Sequence, residues 1–218
     1  MRIFSTILIL MAGAIIWHAI AKEQPCTDDG CPEFLESEFT KATYVEPLEI
    51  EEFSPYILPV VLTESKDQFV YSLSQCIDKI YETTPKEKQI PKELIIAQAA
   101  IETGWGKSRF ANEGNNLFGI RTYNKDDEWL LPITWDQTKW IGWGVKVYEN
   151  RCDSVKDYVR ILNEVFAYEA FREARANGET DSIILADHLT KYASKKNYTD
   201  IIKSVIKNNI RGVYDLNT

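Results

Sequence analysis

The chain has 218 residues and a net charge of −8, with 44% hydrophobic and 27% charged side chains. That is enough for one domain with its own core plus extra segments, and the aromatic content is too high for a disordered polymer. The acidic balance argues against nucleic acid as a partner and supplies no overall positive field for holding an anionic polymer.

Residues 3–20 are apolar apart from Ser5, Thr6 and His18, and Arg2 precedes them. Ala19-Ile20-Ala21 fits a small-x-small cleavage site, and Lys22-Glu23-Gln24 follows. Residues 1–21 therefore read as a secretory signal. An uncleaved membrane anchor is the other reading, because the apolar run is close to spanning length. Both readings put the remaining chain outside the cytoplasm. Residues 22–62 are acidic and carry Pro25, Pro32, Pro47, Pro55 and Pro59, the composition of a linker. Their last stretch, Phe53 to Leu62, is too apolar for a free tail and should pack on the domain as an extended arm. The domain itself is assigned to residues 63–218.

Four cysteines suit an oxidising compartment and permit three pairings, among which sequence alone does not choose. Cys26 and Cys31 bracket a short loop containing Gly30, which favours that pair. Cys76 with Cys152 would be the other, and buried free thiols are the alternative. No Cys-x-x-Cys occurs, and His188 is the only histidine beyond the apolar N-terminus. A histidine triad or a metal cluster therefore has little support, and no cofactor is required. Carboxylate chemistry is favoured by elimination.

A helix is expected over residues 65–81, with Phe69, Leu73, Cys76, Ile77 and Ile80 on one face and a capped start near Ser65. Pro91 opens the next helix and Gly104 stops it. Ile95, Gln98 or Ala99, and Glu102 share one of its faces, and its other residues are mostly apolar, so it should be buried on most sides. Glu102 then sits at the negative end of a buried helix. Burial and the dipole both oppose ionisation and raise its pKa. A carboxyl held protonated near neutral pH suits general acid catalysis. Gly104-Trp105-Gly106 follows at once and suggests a tight backbone with an open face, Trp105 being a candidate ligand contact.

A short helix should run to Ala111 and stop at Gly114, after which Asn116 to Arg121 enters a strand region. Residues 128–135 and 143–148 should pair as a small antiparallel sheet, with a turn at Lys125-Asp126-Asp127. Trp129, Trp135, Trp140 and Trp143 serve mainly packing, with one or two lining a groove. The chain becomes helical again from Asp153, where Ser154-x-x-Asp157 looks like a capping box and Val155, Tyr158, Val159 and Leu162 form an apolar stripe. Further helices are expected over 168–176, 182–191 and 197–208. The fold class is α+β, predominantly helical, with a small antiparallel β element beside the Glu102 helix.

The string AIETGWGKSRF, followed by NNLFGI, resembles the core motif of the peptidoglycan-cleaving glucosaminidases, glycoside hydrolase family 73, and most of all their Bax-type branch. Further blocks follow in order: Tyr148 to Asn163, Ala167 to Ala176, and Leu185 to Ile206. The resemblance runs from Pro91 to the C-terminus. It implies a lysozyme-like fold and an exported hydrolase that cuts the glycan strand after N-acetylglucosamine, with peptidoglycan as partner. Attachment to the inner membrane would follow if the N-terminal apolar run is retained. The motif glutamate falls on Glu102, the catalytic acid. Asn116, Leu117, Phe118 and Gly119 would shape the cleft wall, with Asn116 and Phe118 at the substrate. The Tyr-Ala-x-x-x-x-Tyr motif falls on Tyr192, Ala193 and Tyr198, which puts Tyr192 next to the scissile sugar and makes Tyr198 a further contact. Lys195 stands where the family usually carries aspartate. For a second carboxylate the candidates are Asp126, Asp127, Glu128, Asp136 and Glu149, and Asp136 has the best offset. Without one, the substrate's own N-acetyl group would act as nucleophile. A lytic transglycosylase, or a wall-binding protein without activity, is the alternative function.

Overall fold

A computed structural model describes residues 58–216. The candidate signal, most of the linker, and Cys26 and Cys31 lie outside the described residues.

Helix α1 spans Lys66–Tyr81 and starts where expected, with the Ser65 hydroxyl accepting from the Gln68 N–H. It buries the face read from the sequence, including Phe69, Leu73, Cys76, Ile77 and Ile80. Helix α2, Lys92–Thr103, begins behind Pro91 and ends on Gly104, whose left-handed φ of 60° lets its N–H return to the Ala100 carbonyl. All residues from Leu94 to Ala100 are buried in it, so α2 is the central helix of the domain. A short helix α3, Arg109–Glu113, is capped by Ser108.

Three short strands follow: β1 Arg121–Thr122, β2 Trp129–Leu130 and β3 Gly144–Lys146. They form an antiparallel sheet in the order β1-β3-β2, with Arg121 opposite Val145 and Trp129 opposite Lys146. The expected pairing of the 128–135 and 143–148 segments is present but shorter. Trp135 leaves the strand for a turn, its N–H bonding to the Pro132 carbonyl. Gly144 lets β2 approach, since a Cβ there would lie 2.5 Å from the Trp129 Cβ.

Helix α4, Arg151–Glu164, starts two residues earlier than the sequence reading had it. Asn150 is the cap, its side chain accepting from the Asp153 N–H. Ser154 lies inside the helix, fully buried, where its hydroxyl accepts from the Leu117 N–H. Helix α5 covers Glu169–Ala176. The helix expected over 182–191 breaks into α6, Ser182–Ala186, and a tighter turn at Asp187–Leu189. Helix α7, Tyr198–Val205, runs on into a wider turn at Ile206–Ile210.

The described end of the arm, residues 58–62, packs on the domain as expected. Val61 is buried, the Leu62 N–H donates to the Ser72 hydroxyl, and Arg151 donates to the Val61 carbonyl. Cys76 of α1 and Cys152 of α4 form a disulfide, with Cα atoms 5.9 Å apart and a sequence separation of 76. Closing so long a loop restricts the unfolded chain. The Cys76→Ser/Cys152→Ser double variant should lose about 2–4 kcal/mol of stability in urea unfolding.

Candidate active site

Three pieces of backbone converge at the end of α2. The helix delivers Glu102, the turn at 116–119 comes against it, and α7 with the residues before it closes the third side. Burial raises the Glu102 pKa, and a hydrogen bond from Tyr198 partly offsets the rise. The Tyr198 hydroxyl donates to Glu102 Oε1 at 2.6 Å. It accepts in turn from Gln98 Nε2 at 3.1 Å, and Gln98 Oε1 accepts from the Tyr158 hydroxyl. Gln98 lies one turn before Glu102 and is fully buried. The result is a directed chain, Tyr158 to Gln98 to Tyr198 to Glu102, inside the core. Burial pushes both phenols well above their ordinary value, so each remains a neutral donor.

The turn is built by Asn116, which is fully buried. Its Nδ2 donates to the carbonyls of Ile120 and Lys146, and its Oδ1 accepts from the N–H groups of Phe118 and Ile120. Gly119 follows with φ +64°, and a Cβ there would sit 3.7 Å from Glu102 Oε2. The ring of Phe118 stacks on Tyr158 with centroids 4.2 Å apart. Its carbonyl accepts from the Tyr192 hydroxyl at 2.9 Å, and the Tyr192 ring lies parallel to Tyr198 at 5.7 Å. A solvent-open cavity of about 550 Å³ results, with Glu102, Phe118, Gly119, Tyr158 and Tyr192 in its wall. Arg121, Tyr123 and Lys191 line its mouth.

Of the residues singled out from the sequence, Glu102, Phe118, Gly119, Tyr192 and Ala193 meet at this cavity. Tyr198 stands behind Glu102 as its hydrogen-bond partner and is not in the wall. Trp105 is elsewhere: its φ of 64° turns the ring onto α1, edge-on to Phe69 at 6.2 Å and under the Lys66 ammonium. Asn116 has no surface for a ligand; its polar atoms are spent on the turn. Asp136 is exposed on its own loop, with Oδ1 accepting both the N–H and the O–H of Thr138, which holds its pKa below the ordinary value. It does not line the cavity, and neither do Asp126, Asp127, Glu128 and Glu149; among the described residues Glu102 is the sole carboxylate in the wall. The tryptophans pack as two pairs, Trp129 with Trp140 and Trp135 with Trp143, and none reaches the wall. Gln98 and Tyr158 received no role from the sequence. A lone polar residue four before Glu102 in an apolar helix was the available signal for Gln98. Tyr158 gave none beyond its place in an apolar stripe.

Because folded Glu102 holds its proton more tightly than the unfolded chain does, its contribution to stability is complete below the ordinary glutamate range. It is lost as pH rises toward the raised folded value. Glu102→Gln has no charge to bury. It should unfold at higher urea than wild type at pH 7, with the difference closing near about pH 3.

Comparison with known proteins bears on this geometry. The family model described as "Glucosaminidase: Mannosyl-glycoprotein endo-beta-N-acetylglucosaminidase" matches residues 78–211. Peptidoglycan hydrolase FlgJ of Vibrio parahaemolyticus is 32% identical over 153 residues, covering 65% of this chain and 47% of that protein. Protein bax of Escherichia coli is 30% identical over 128 residues, covering 56% and 44%. The chain thus spans about half the length of the curated relatives it matches. Among solved structures, a peptidoglycan hydrolase from Sphingomonas sp. A1 superimposes with a TM-score of 0.50 at 24% identity, covering 66% of this chain and 89% of that one. That likeness bears on the fold alone and agrees with the lysozyme-like architecture.

Proposed function

We propose, since this chain belongs to the glucosaminidase family, that it is an exported glycoside hydrolase cutting the peptidoglycan glycan strand after N-acetylglucosamine. The observation that carries the reading is a carboxyl with a raised pKa, lining an open cavity between aromatic rings. Relatives named as peptidoglycan hydrolases support the substrate class. Export rests on the apolar N-terminal run ending in Ala19-Ile20-Ala21. Among the described residues no helix is long and apolar enough to cross a membrane.

In this reading Glu102 donates its proton to the leaving glycosidic oxygen and then, as carboxylate, activates water. The half-buried ring of Tyr192 offers a face for the sugar. That Glu102 is the lone carboxylate in the wall among the described residues favours attack by the substrate's own N-acetyl oxygen over a second protein acid.

Glu102→Gln should lower the rate of wall clearing at least about 100-fold. Asp136→Asn should stay within about threefold of wild type; a loss as deep as that of Glu102→Gln would restore Asp136 as the second acid. Products should carry reducing N-acetylglucosamine ends by mass spectrometry, whereas anhydro-muramyl ends would mean a transglycosylase. The acid must be protonated to act, so kcat should fall as pH rises through the Glu102 pKa. The Tyr198 hydrogen bond favours the ionised form. Tyr198→Phe should therefore move the alkaline limb of the kcat profile to higher pH.

A further inference from the structure

Seven of the chain's arginines fall among the described residues, and six of them have an oxygen acceptor. Arg121 is the exception. Among the described residues it makes no side-chain hydrogen bond and no ion pair, yet it is fixed at both ends. Its backbone is registered in β1 opposite Val145, and its guanidinium lies over the Trp143 ring at 4.1 Å. Trp143 is itself braced edge-on by Trp135 at 5.8 Å. A guanidinium stacked on an aromatic plane keeps its N–H groups free in that plane, and the stacking removes much of the side chain's mobility beforehand. That is the arrangement for receiving a planar, bidentate acceptor.

The setting adds to this. The chain as a whole is acidic, with a net charge of −8, but among the described residues the cavity wall holds Arg121 and Lys191 against the single acid Glu102. Lys191 is exposed at the mouth, directly before Tyr192, and has no ion pair among the described residues. Lys195 and Lys196, equally exposed, lie a few residues further along the chain. The positive field that overall composition denies is thus concentrated at one opening, where low-dielectric walls focus it.

We propose that Arg121, assisted by Lys191, is a specificity-determining residue that pairs with a carboxylate carried on the substrate strand. This rests on the reading of the cavity as a glycan site. It adds that the enzyme discriminates acid-bearing strands from neutral ones of the same sugar backbone. The bidentate pairing gives directional recognition, and the lysine adds a nondirectional charge. Two sources offer the same chemistry: the lactyl carboxylate of a peptide-free strand, and the acidic groups of the stem peptide.

The test uses the full chain with three soluble substrates. These are a neutral N-acetylglucosamine oligomer, a peptide-free strand with free lactyl groups, and a strand bearing stem peptides. In Arg121→Gln, the ratio of kcat/KM on charged over neutral substrate should fall about tenfold, as expected for one charge-assisted hydrogen-bonded pair. Lys191→Gln should lower it less. Raised salt should bring the wild-type ratio toward that of the variant. A fall on the peptide-free strand assigns the lactyl carboxylate; a fall only on the peptide-bearing strand assigns the stem. An unchanged ratio, or an equal loss on neutral and charged substrates, overturns the assignment. If wild type cleaves none of the three, the proposed activity has failed. The affinities of wild type and Arg121→Gln for the same glycans then decide the point, with the same tenfold shift in the Kd ratio expected and its absence decisive against Arg121.

Discussion

The hydrogen bond from Tyr198 to Glu102 is the interaction on which the rest of the site depends. It joins the last turn of α2 to the first residue of α7, two elements nearly a hundred residues apart. A carboxyl at the end of a buried helix is costly when ionised, and a protein can meet that cost by moving it to solvent or by giving it a donor. Here the donor is itself held by Gln98, and Gln98 by Tyr158 of α4. Three helices are therefore fixed relative to one another by the same polar chain that sets the chemistry of the acid. Such chains are stable only when every member is satisfied, and no side-chain polar atom buried among the described residues lacks a partner.

The second support is the turn at Asn116. Its carboxamide closes four hydrogen bonds to backbone groups on both sides, linking the turn to β3 through Lys146. The small sheet is therefore connected to the cavity by a side chain, not only by chain continuity. That link holds β1, and with it Arg121, at the cavity that Glu102 lines. It also accounts for a two- or three-residue strand persisting in a mainly helical domain: the sheet is anchored at one end to the core.

Much of this was legible in the sequence where local chemistry decides the outcome. Pro91 and Gly104 punctuate α2, and the apolar residues between them announce burial, so Glu102 could be read as a perturbed acid. The apolar face of α1 is equally plain. Sequence and structure part where placement depends on the direction a side chain takes in three dimensions. Trp105 follows a left-handed glycine and takes a left-handed φ itself, which swings its ring to α1; no periodicity encodes that. Asn116 belongs to a motif, but a motif does not say whether a polar side chain faces ligand or backbone. Asp136 matched a sequence offset, and offsets across loops do not fix position. Tyr158 looks like any core aromatic until its hydroxyl is seen to face Gln98.

The two oxygens of Glu102 do not have equivalent surroundings. Oε1 accepts from the Tyr198 hydroxyl, so in the neutral acid it takes the carbonyl role. The proton then belongs on Oε2, the oxygen beside Gly119, where the absent side chain leaves the approach uncovered. Tyr198 and Gly119 together thus give the carboxyl a handedness: one edge is wired into the protein, and the other faces a residue without a side chain. A glycine that serves a turn thus also leaves one oxygen of Glu102 without a side chain over it, while Tyr198 holds the other.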